Sequence, residues 1–382
     1  MSFHMPSPTL KCDVSYCGPS SPESDDDSDA NSLTFSPPFS GPPSVSSSLT
    51  SYEVDPSIRS ASPESVLSIG SSLQAQVYRH EYGRGVNNYS EVYRLPGDDE
   101  EFERLDKQHL MFIEIMGEKF PPPFREIMAD NVPGERKACL DLGCGSGSWI
   151  MDVAREFPNC NAVAVDLVPM QSPQMPSNLR SEVDDINLGL EHFYGDFNVV
   201  HARLMSSGIK DYHRVIDQIS HVLRPGGLID VAEFDFYPYN EEHQRILLDT
   251  HSLRTPWWAQ WMTFLASAAR ARGGDLDAAT HLYDWICGHP AFEDVVYREF
   301  WLPIVPSRKD SPALHKITRF MTEDVEAFLK SGRPLILGSG LPEDVLFDLE
   351  EKARKEVYEA KIPQYTRLQC VYARKKHLTP PP

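Results

Sequence analysis

The apolar positions divide the chain into two parts. Residues 1–75 are rich in Ser, Pro and Asp and contain few large apolar residues. Such a segment buries too little apolar surface to offset the entropy lost on ordering, so we expect a disordered tail over 1–75. Apolar residues recur at regular spacings over the rest of the chain, which predicts one folded domain over 76–378.

Short apolar runs alternate with helically spaced segments between residues 136 and 236. The short runs predict strands over 137–142, 161–166, 179–183, 196–201 and 227–235. The spaced segments predict helices over 148–157, with Ser148 as its N-cap, and over 211–223. The Pro225–Gly227 turn would connect the second helix to the last strand. Such alternation is typical of a parallel sheet with helices on both faces, so the predicted fold class is α/β.

Helical spacing continues on both sides of this core. Upstream, residues 98–116 predict a helix whose acidic first turn suits the helix dipole. Downstream, the pattern predicts helices over 240–272, 275–287, 311–331 and 341–360. Two further runs predict strands over 295–302 and 366–374.

Composition and charge narrow the class of protein. The 382 residues carry a net charge of −20, which argues against nucleic-acid or membrane-surface binding through a basic face. The sequence contains no apolar run near the roughly 18 residues of a membrane span, and it shows no apolar signal core. The seven cysteines form no C-x-x-C pair and no cluster with histidine. We therefore expect reduced thiols, no metal site and a cytoplasmic location, with the nucleus as the alternative.

Residues 138–149 give the clearest chemical signal. A short apolar strand ends near Asp141, and Gly143, Gly145 and Gly147 follow before a predicted helix. Glycine can adopt the positive φ of such a turn, and it lets the backbone approach a nucleotide-like ligand closely. The stretch therefore predicts a ligand site at the end of this strand.

Glycine spacing and charge distinguish between ligand classes. The dinucleotide fingerprint is G-x-G-x-x-G, whereas the glycines here run G-x-G-x-G, and Asp141 would point a carboxylate at two phosphates. These features disfavour a nicotinamide oxidoreductase. A cationic ligand suits the acid better, and S-adenosylmethionine carries an ammonium and a sulfonium but no phosphate. A tight glycine turn without a ligand is the alternative.

Two later strand ends also carry acids. Asp166 lies about 20 residues beyond the glycine turn, where a carboxylate can accept from both ribose hydroxyls. Asp184 and Asp185 end the third strand, where a carboxylate can accept from an adenine amino group. Each acid alone is typical of a solvated turn, but three at successive strand ends favour a ligand. His201 ends the fourth strand, and a structural hydrogen bond is the favoured interpretation of a lone histidine.

The sequence resembles class I S-adenosylmethionine-dependent methyltransferases in five runs, Leu140–Trp149, Val163–Pro169, Val183–Asn187, Phe197–Arg203 and Val222–Leu228. Upstream, Tyr89–Asp98 and Glu103–His109 resemble the fungal branch. That branch includes regulators of secondary metabolism and enzymes of biosynthetic clusters. The resemblance covers about residues 78–376.

The resemblance implies a Rossmann-like class I methyltransferase fold, with a mostly parallel seven-stranded sheet and helices on both faces. An N-terminal lid would span about 78–130, the core about 136–236, and a helical cap with the C-terminal strands about 240–376. The alternative to a lid is an N-terminal helix that only packs on the sheet. The implied cofactor is S-adenosyl-L-methionine. Cofactor binding is implied for Asp141, Gly143, Gly145, Gly147, Asp166, Leu167, Asp185, Ile186 and His201.

Two functional hypotheses follow. The first is a methyltransferase acting on a small molecule of fungal secondary metabolism. The alternative is a regulatory protein with the methyltransferase fold that acts through protein partners in the nucleus, contacting them through the acidic Ser/Pro-rich tail. Neither hypothesis involves a nucleic-acid or membrane partner.

A general base is needed only for a neutral alcohol or phenol acceptor, and the sequence assigns no catalytic residue. Candidate bases near the expected site are Glu233, Asp235, His251 and His289. The tryptophans at 257, 258 and 261 could stack on a planar acceptor, but a core position is the favoured interpretation.

Overall fold

The computed structural model describes residues 13–16, 76–131, 134–170, 172 and 174–377. The strands are β1 (Asp13–Tyr16), β2 (Tyr78–Glu81), β3 (Arg84–Asn87), β4 (Ala138–Leu142), β5 (Asn161–Asp166), β6 (Leu179–Val183), β7 (Phe197–Arg203), β8 (Leu223–Phe234), β9 (Phe292–Val305) and β10 (Gln364–Lys375). The α-helices are α1 (Asp99–Met116), α2 (Phe124–Ile127), α3 (Ser148–Glu156), α4 (Tyr212–Val222), α5 (Trp257–Ala271), α6 (Leu282–Gly288), α7 (Pro312–Leu337) and α8 (Glu343–Glu359).

Most of the strands form one mixed sheet in the order β1-β9-β10-β8-β7-β4-β5-β6. From β8 to β6 every neighbouring pair is parallel, whereas β10 runs antiparallel to both β8 and β9. The seven strands from β9 to β6 confirm the predicted sheet. From β4 the chain adds β5 and β6 on one side, and then returns to add β7 and β8 on the other side of β4. The connections therefore diverge between β4 and β7, and a crevice forms there at the carboxyl ends of the strands.

The central strands are buried on both faces, as continuous apolar runs predict for parallel strands. Every residue of β4 is buried. Leu140 and Leu142 pack into one apolar cluster, whereas Cys139, which precedes Leu140, packs into another. Successive side chains of a strand point to opposite faces, so these clusters cover the two sides of the sheet.

A third apolar cluster joins α1, α5, α7 and α8 beyond the crevice. At the start of α5, the Glu356 carboxylate of α8 accepts from the backbone N–H groups of Trp257 at 2.9 Å and Trp258 at 3.1 Å. An acid at a helix N-terminus satisfies donors that lack intrahelical partners. Trp261 is fully buried and stacks on Trp258 at 5.3 Å, which supports the core interpretation for Trp261.

Several predicted boundaries are wrong. The helix predicted over 240–272 begins at Trp257, because Asn240 Oδ1 accepts from the backbone N–H groups of residues 242 and 244 in a turn and the chain stays irregular up to Pro256. Gly147, with φ of 79°, occupies the N-cap of α3, so Ser148 is the first helical residue rather than the cap.

The predicted tail and thiols also need correction. Within 1–75, residues Asp13–Tyr16 pair with β9 as an edge strand, and the remainder of the predicted tail lies outside the described residues. Cys287 is disulfide-bonded, so the expectation of reduced thiols is wrong there, whereas Cys139, Cys144 and Cys160 are free thiols. In the described part of the chain, every helix is too short or too polar to cross a bilayer.

Close approach between β7 and β8 predicts a cost for a side chain at Gly227. A Cβ there would lie 2.8 Å from the Asn198 carbonyl oxygen and 2.9 Å from the Arg224 carbonyl oxygen. Because both atoms belong to backbone, we expect Gly227→Ala to lower the free energy of unfolding by roughly 1–3 kcal/mol in urea titration. The control is Gly288→Ala, whose Cβ meets nothing within 4 Å. Equal losses in the two variants would contradict the steric explanation.

Candidate cofactor and acceptor site

A cavity of about 210 Å³ lies at the carboxyl ends of β4, β5, β7 and β8, next to α1, the helix of the predicted lid, and beside α5 and α7. Eight of the nine residues predicted to bind the cofactor line this cavity, namely Asp141, Gly143, Gly145, Asp166, Leu167, Asp185, Ile186 and His201. The ninth, Gly147, is outside the lining and caps α3. The parallel pairing of β4 with β7 places Asp141 beside His201, although the two residues are far apart in the chain.

The glycine turn is built by backbone that only glycine adopts readily. Gly143, Gly145 and Gly147 have φ values of 65°, 56° and 79°. A Cβ on Gly145 would lie 2.7 Å from the Leu105 Cδ1 atom of α1. The missing side chain thus allows the lid helix to pack directly on the turn.

Asp141 is buried beneath this turn. Burial raises the pKa of its carboxyl to about 8, with the charges of Asp166 and Asp230 adding to the rise and that of Arg203 opposing it. A nearby cation favours the ionised form of a carboxyl. The Asp141 environment therefore suits a positively charged ligand group.

Asp166 links β5 to the glycine turn. Its Oδ2 accepts from the Gly145 N–H at 2.8 Å, and its Oδ1 accepts from the Val168 N–H at 3.3 Å. Burial raises the pKa of the Asp166 carboxyl, while these N–H groups oppose the rise. Each carboxylate oxygen keeps one further acceptor site, so Asp166 can still accept from a pair of hydroxyls.

At the next strand end, Asp184 and Asp185 both line the cavity. Asp185 Oδ1 accepts from Asn187 N–H at 3.0 Å and from its Nδ2 at 2.8 Å. Asn187 in turn donates to the Gly208 carbonyl at 2.8 Å and accepts from the Lys210 N–H at 2.8 Å. Asn187 was not predicted from the sequence, although an Asp-x-Asn step is a recognisable turn signal.

His201 is held by two neighbours. Its ring stacks on Trp149 with centroids 3.8 Å apart, and Nδ1 lies 3.0 Å from Asp230 Oδ2. Burial lowers the pKa of His201, which favours the neutral ring. Its Nε2 is buried and has no hydrogen-bond partner among the described residues. The packing supports the structural interpretation of this histidine.

The four candidate bases separate into two groups. His251 and His289 are outside the cavity lining, whereas Glu233 and Asp235 belong to it and are almost fully buried. Asp235 accepts from Tyr239 Oη, from Arg367 at 2.8 Å and from Gln369 at 2.5 Å. These partners are typical of a structural ion pair.

The lid and cap supply lining residues that the sequence analysis did not single out. Arg104 Nη1 on α1 lies 2.8 Å from Asp324 Oδ1 on α7, and Gln108 Nε2 lies 3.3 Å from Asp324 Oδ2. Trp258, Met262, Met321, Val325 and Phe328 give this end of the cavity an apolar surface. The only sequence signal for Arg104 and Gln108 is their i,i+4 spacing on one helix face.

The amino-acid sequence is similar to those of known proteins. Residues 116–279 match the methyltransferase domain family. The chain is 50% identical over 301 residues to the secondary metabolism regulator laeA of Coprinopsis cinerea, covering 78% of this chain and 74% of that protein. It is 30% identical over 287 residues to methyltransferase pytC of Aspergillus terreus, covering 74% and 82%.

Among solved structures, the chain is similar to Haemonchus contortus phosphoethanolamine N-methyltransferase 2 in complex with phosphomonomethylethanolamine and S-adenosylhomocysteine, at 16% identity and a TM-score of 0.37, covering 71% of this chain and 58% of that chain. The protein belongs to the class I S-adenosylmethionine-dependent methyltransferases, in the branch associated with fungal secondary metabolism.

S-adenosylmethionine is the cofactor of this enzyme. The residues present fit it. The glycine turn brings backbone to the edge of the cavity, and the ends of β4 and β5 supply carboxylates, which would repel the phosphates of a dinucleotide. Asp141 suits the ammonium and sulfonium, and Asp166 keeps acceptor capacity for hydroxyls.

Burial of Asp141 predicts a pH dependence of stability. An unfolded Asp has a pKa of about 3.9, so a folded pKa of about 8 means that the folded state binds the extra proton between these values. The stabilisation of the folded state that comes from this proton is fully present below about pH 4 and is lost as the pH rises towards 8. We expect Asp141→Asn, which stays neutral, to show a smaller fall in Tm between about pH 5 and 8.

The control is Asp249→Asn at an exposed carboxyl. The His251 and Ser252 backbone N–H groups lower the pKa of Asp249, so its contribution has the opposite sign and its removal should not flatten the profile. An unchanged slope in Asp141→Asn would show that Asp141 is ionised in the folded protein.

Proposed function

We propose that this enzyme transfers the methyl group of S-adenosylmethionine to a small-molecule acceptor bound at the apolar end of the cavity. The observation that carries this proposal is the continuity of the cavity. One and the same cavity reaches from Asp141 and Asp166 at the strand ends to Trp258 and Phe328 in the cap. Cofactor and acceptor can therefore meet under the lid helix α1.

Positioning and water exclusion account for the contribution of the protein chain. The cofactor supplies an activated methyl group when bound. Asp166 and Asp185 would hold its ribose and adenine, Leu167 and Ile186 would pack against them, and the glycine turn would fix its distance from the sheet. The apolar cap keeps water from the reacting groups, and correct orientation lowers the barrier to an in-line displacement.

Charge in the cavity favours a neutral or cationic acceptor. The carboxyl groups in the lining are those of Asp141, Asp166, Asp184, Asp185, Glu233, Asp235 and Asp324. One arginine of the lining is already compensated, because Arg104 pairs with Asp324 and Glu101. The carboxyl groups of the lining still outnumber its arginines. An anionic acceptor would therefore meet surplus negative charge at low dielectric.

A second candidate function is regulation through protein partners, with a nuclear rather than cytoplasmic location. It is favoured by the 50% identity to a relative named as a secondary metabolism regulator. The two candidates differ in what becomes methylated. Incubation with labelled cofactor and an extract of the source organism, followed by separation of small molecules from protein, distinguishes them. Label in the small-molecule fraction supports the first, and label confined to protein overturns it.

Asp166 gives the sharpest test of cofactor placement. A hydrogen bond to a charged group contributes about 1.5–3 kcal/mol, so we expect Asp166→Ala to weaken S-adenosylmethionine binding about 10- to 100-fold in calorimetric titration. Asp166→Asn should be milder, because the amide oxygen can still accept from the Gly145 N–H.

Asp249→Ala is the matched control, since that acid lies outside the cavity lining. Tm is measured beside the dissociation constant for each variant. A lower Tm with unchanged affinity in Asp166→Ala would mean that Asp166 only stabilises the turn.

A further inference from the structure

Leu204 has an unusual backbone conformation directly after β7. Its φ is 55°, in the left-handed region that a leucine rarely adopts. Its N–H donates to the Ala232 carbonyl at 2.9 Å, which fixes the backbone only on the N-terminal side of the residue. A conformation of this kind persists only where the surroundings enforce it, and such positions cluster at functional sites.

Glu233 supplies the enforcing contacts. Its side chain is fully buried at the end of β8. Oε1 accepts from the N–H groups of Met205 at 2.8 Å and Ser206 at 3.2 Å, and Oε2 accepts from Ser206 Oγ at 2.8 Å. The two backbone donors belong to the residues that immediately follow Leu204, so the carboxylate fixes the backbone on the C-terminal side of Leu204.

The segment 204–208 forms a wall of the cavity between two parts of the cofactor site. Leu204, Met205, Ser207 and Gly208 line the cavity. Met205 lies close to the glycine turn, because a Cβ on Gly143 would be only 3.3 Å from the Met205 Cβ. At its other end, the Gly208 carbonyl accepts from Asn187, which Asp185 holds.

We propose that Glu233 is a positioning residue that keeps the segment 204–208 in its cavity-forming conformation, and not the general base of methyl transfer. The carboxylate already accepts three hydrogen bonds from the protein, out of about four acceptor sites. This inference rests on the proposed cofactor placement. It extends that placement to a lining residue that acts on the cofactor site through the segment after β7.

The test compares Glu233→Gln, Glu233→Ala and the double variant Glu233→Ala/Leu204→Gly by calorimetric titration with S-adenosylmethionine. We expect Glu233→Ala to weaken binding about 10- to 100-fold. Glu233→Gln should stay within about threefold of wild type, because one amide oxygen can accept from both backbone N–H groups. Glycine adopts positive φ without strain, so Leu204→Gly should restore binding at least about threefold in the Glu233→Ala background.

Glu350→Ala is the matched control. Glu350 is another buried acid, pairs with Arg333 at 3.1 Å in the cap and lies outside the cavity lining. Its removal should lower Tm and leave cofactor affinity unchanged. Circular dichroism of each variant confirms folding, and Glu233→Gln keeps the test valid if the alanine variant does not fold.

Three results would overturn the inference. The first is wild-type affinity in Glu233→Ala. The second is no recovery with Leu204→Gly. The third is wild-type affinity in Glu233→Gln combined with at least about a hundredfold loss of label transferred to the small-molecule fraction, which is the signature of a lost general base. The proposed function fails separately, if wild type binds the cofactor but labels no small molecule.

Discussion

The contact between Leu105 and Gly145 is the constraint on which the rest of the site depends. Leu105 Cδ1 of the lid helix occupies the space that a Cβ on Gly145 would enter, and Gly145 donates its N–H to Asp166 at 2.8 Å. One backbone position therefore fixes the separation of the lid from the sheet and the orientation of the acid on β5. Arg104, the neighbour of Leu105 on α1, contacts Asp324 of α7. This ion pair sets the position of α7 relative to the glycine turn.

The sheet and the cofactor end of the cavity were predictable because their signals are local. Strands buried on both faces appear as continuous apolar runs, and Gly143, Gly145 and Gly147 show where backbone must turn with positive φ. The boundaries that failed depend on competing local chemistry. Around 240–256 the apolar residues keep a helical spacing, but the Asn240 side chain satisfies nearby backbone N–H groups in a turn instead.

The acceptor end and the charge states could not be derived from sequence, because they arise from contacts between distant residues. Arg104 and Asp324 are 220 positions apart, and Asp235 meets Arg367 only because β10 lies beside β8. In the sequence, Asp235 and Glu233 are equally plausible bases. In the folded chain one belongs to an ion pair and the other holds a turn.

Helix α1 also connects the two ends of the cavity. On its outer side, Asp106 of α1 lies 2.5 Å from Ser148 Oγ at the glycine turn. On its inner side, Arg104 and Gln108 of the same helix contact Asp324 at the acceptor end. These three residues lie within about one turn of α1, so a displacement of this part of the helix from the glycine turn would also break its contacts with Asp324. The two ends of the cavity are thus mechanically coupled through a single helical turn.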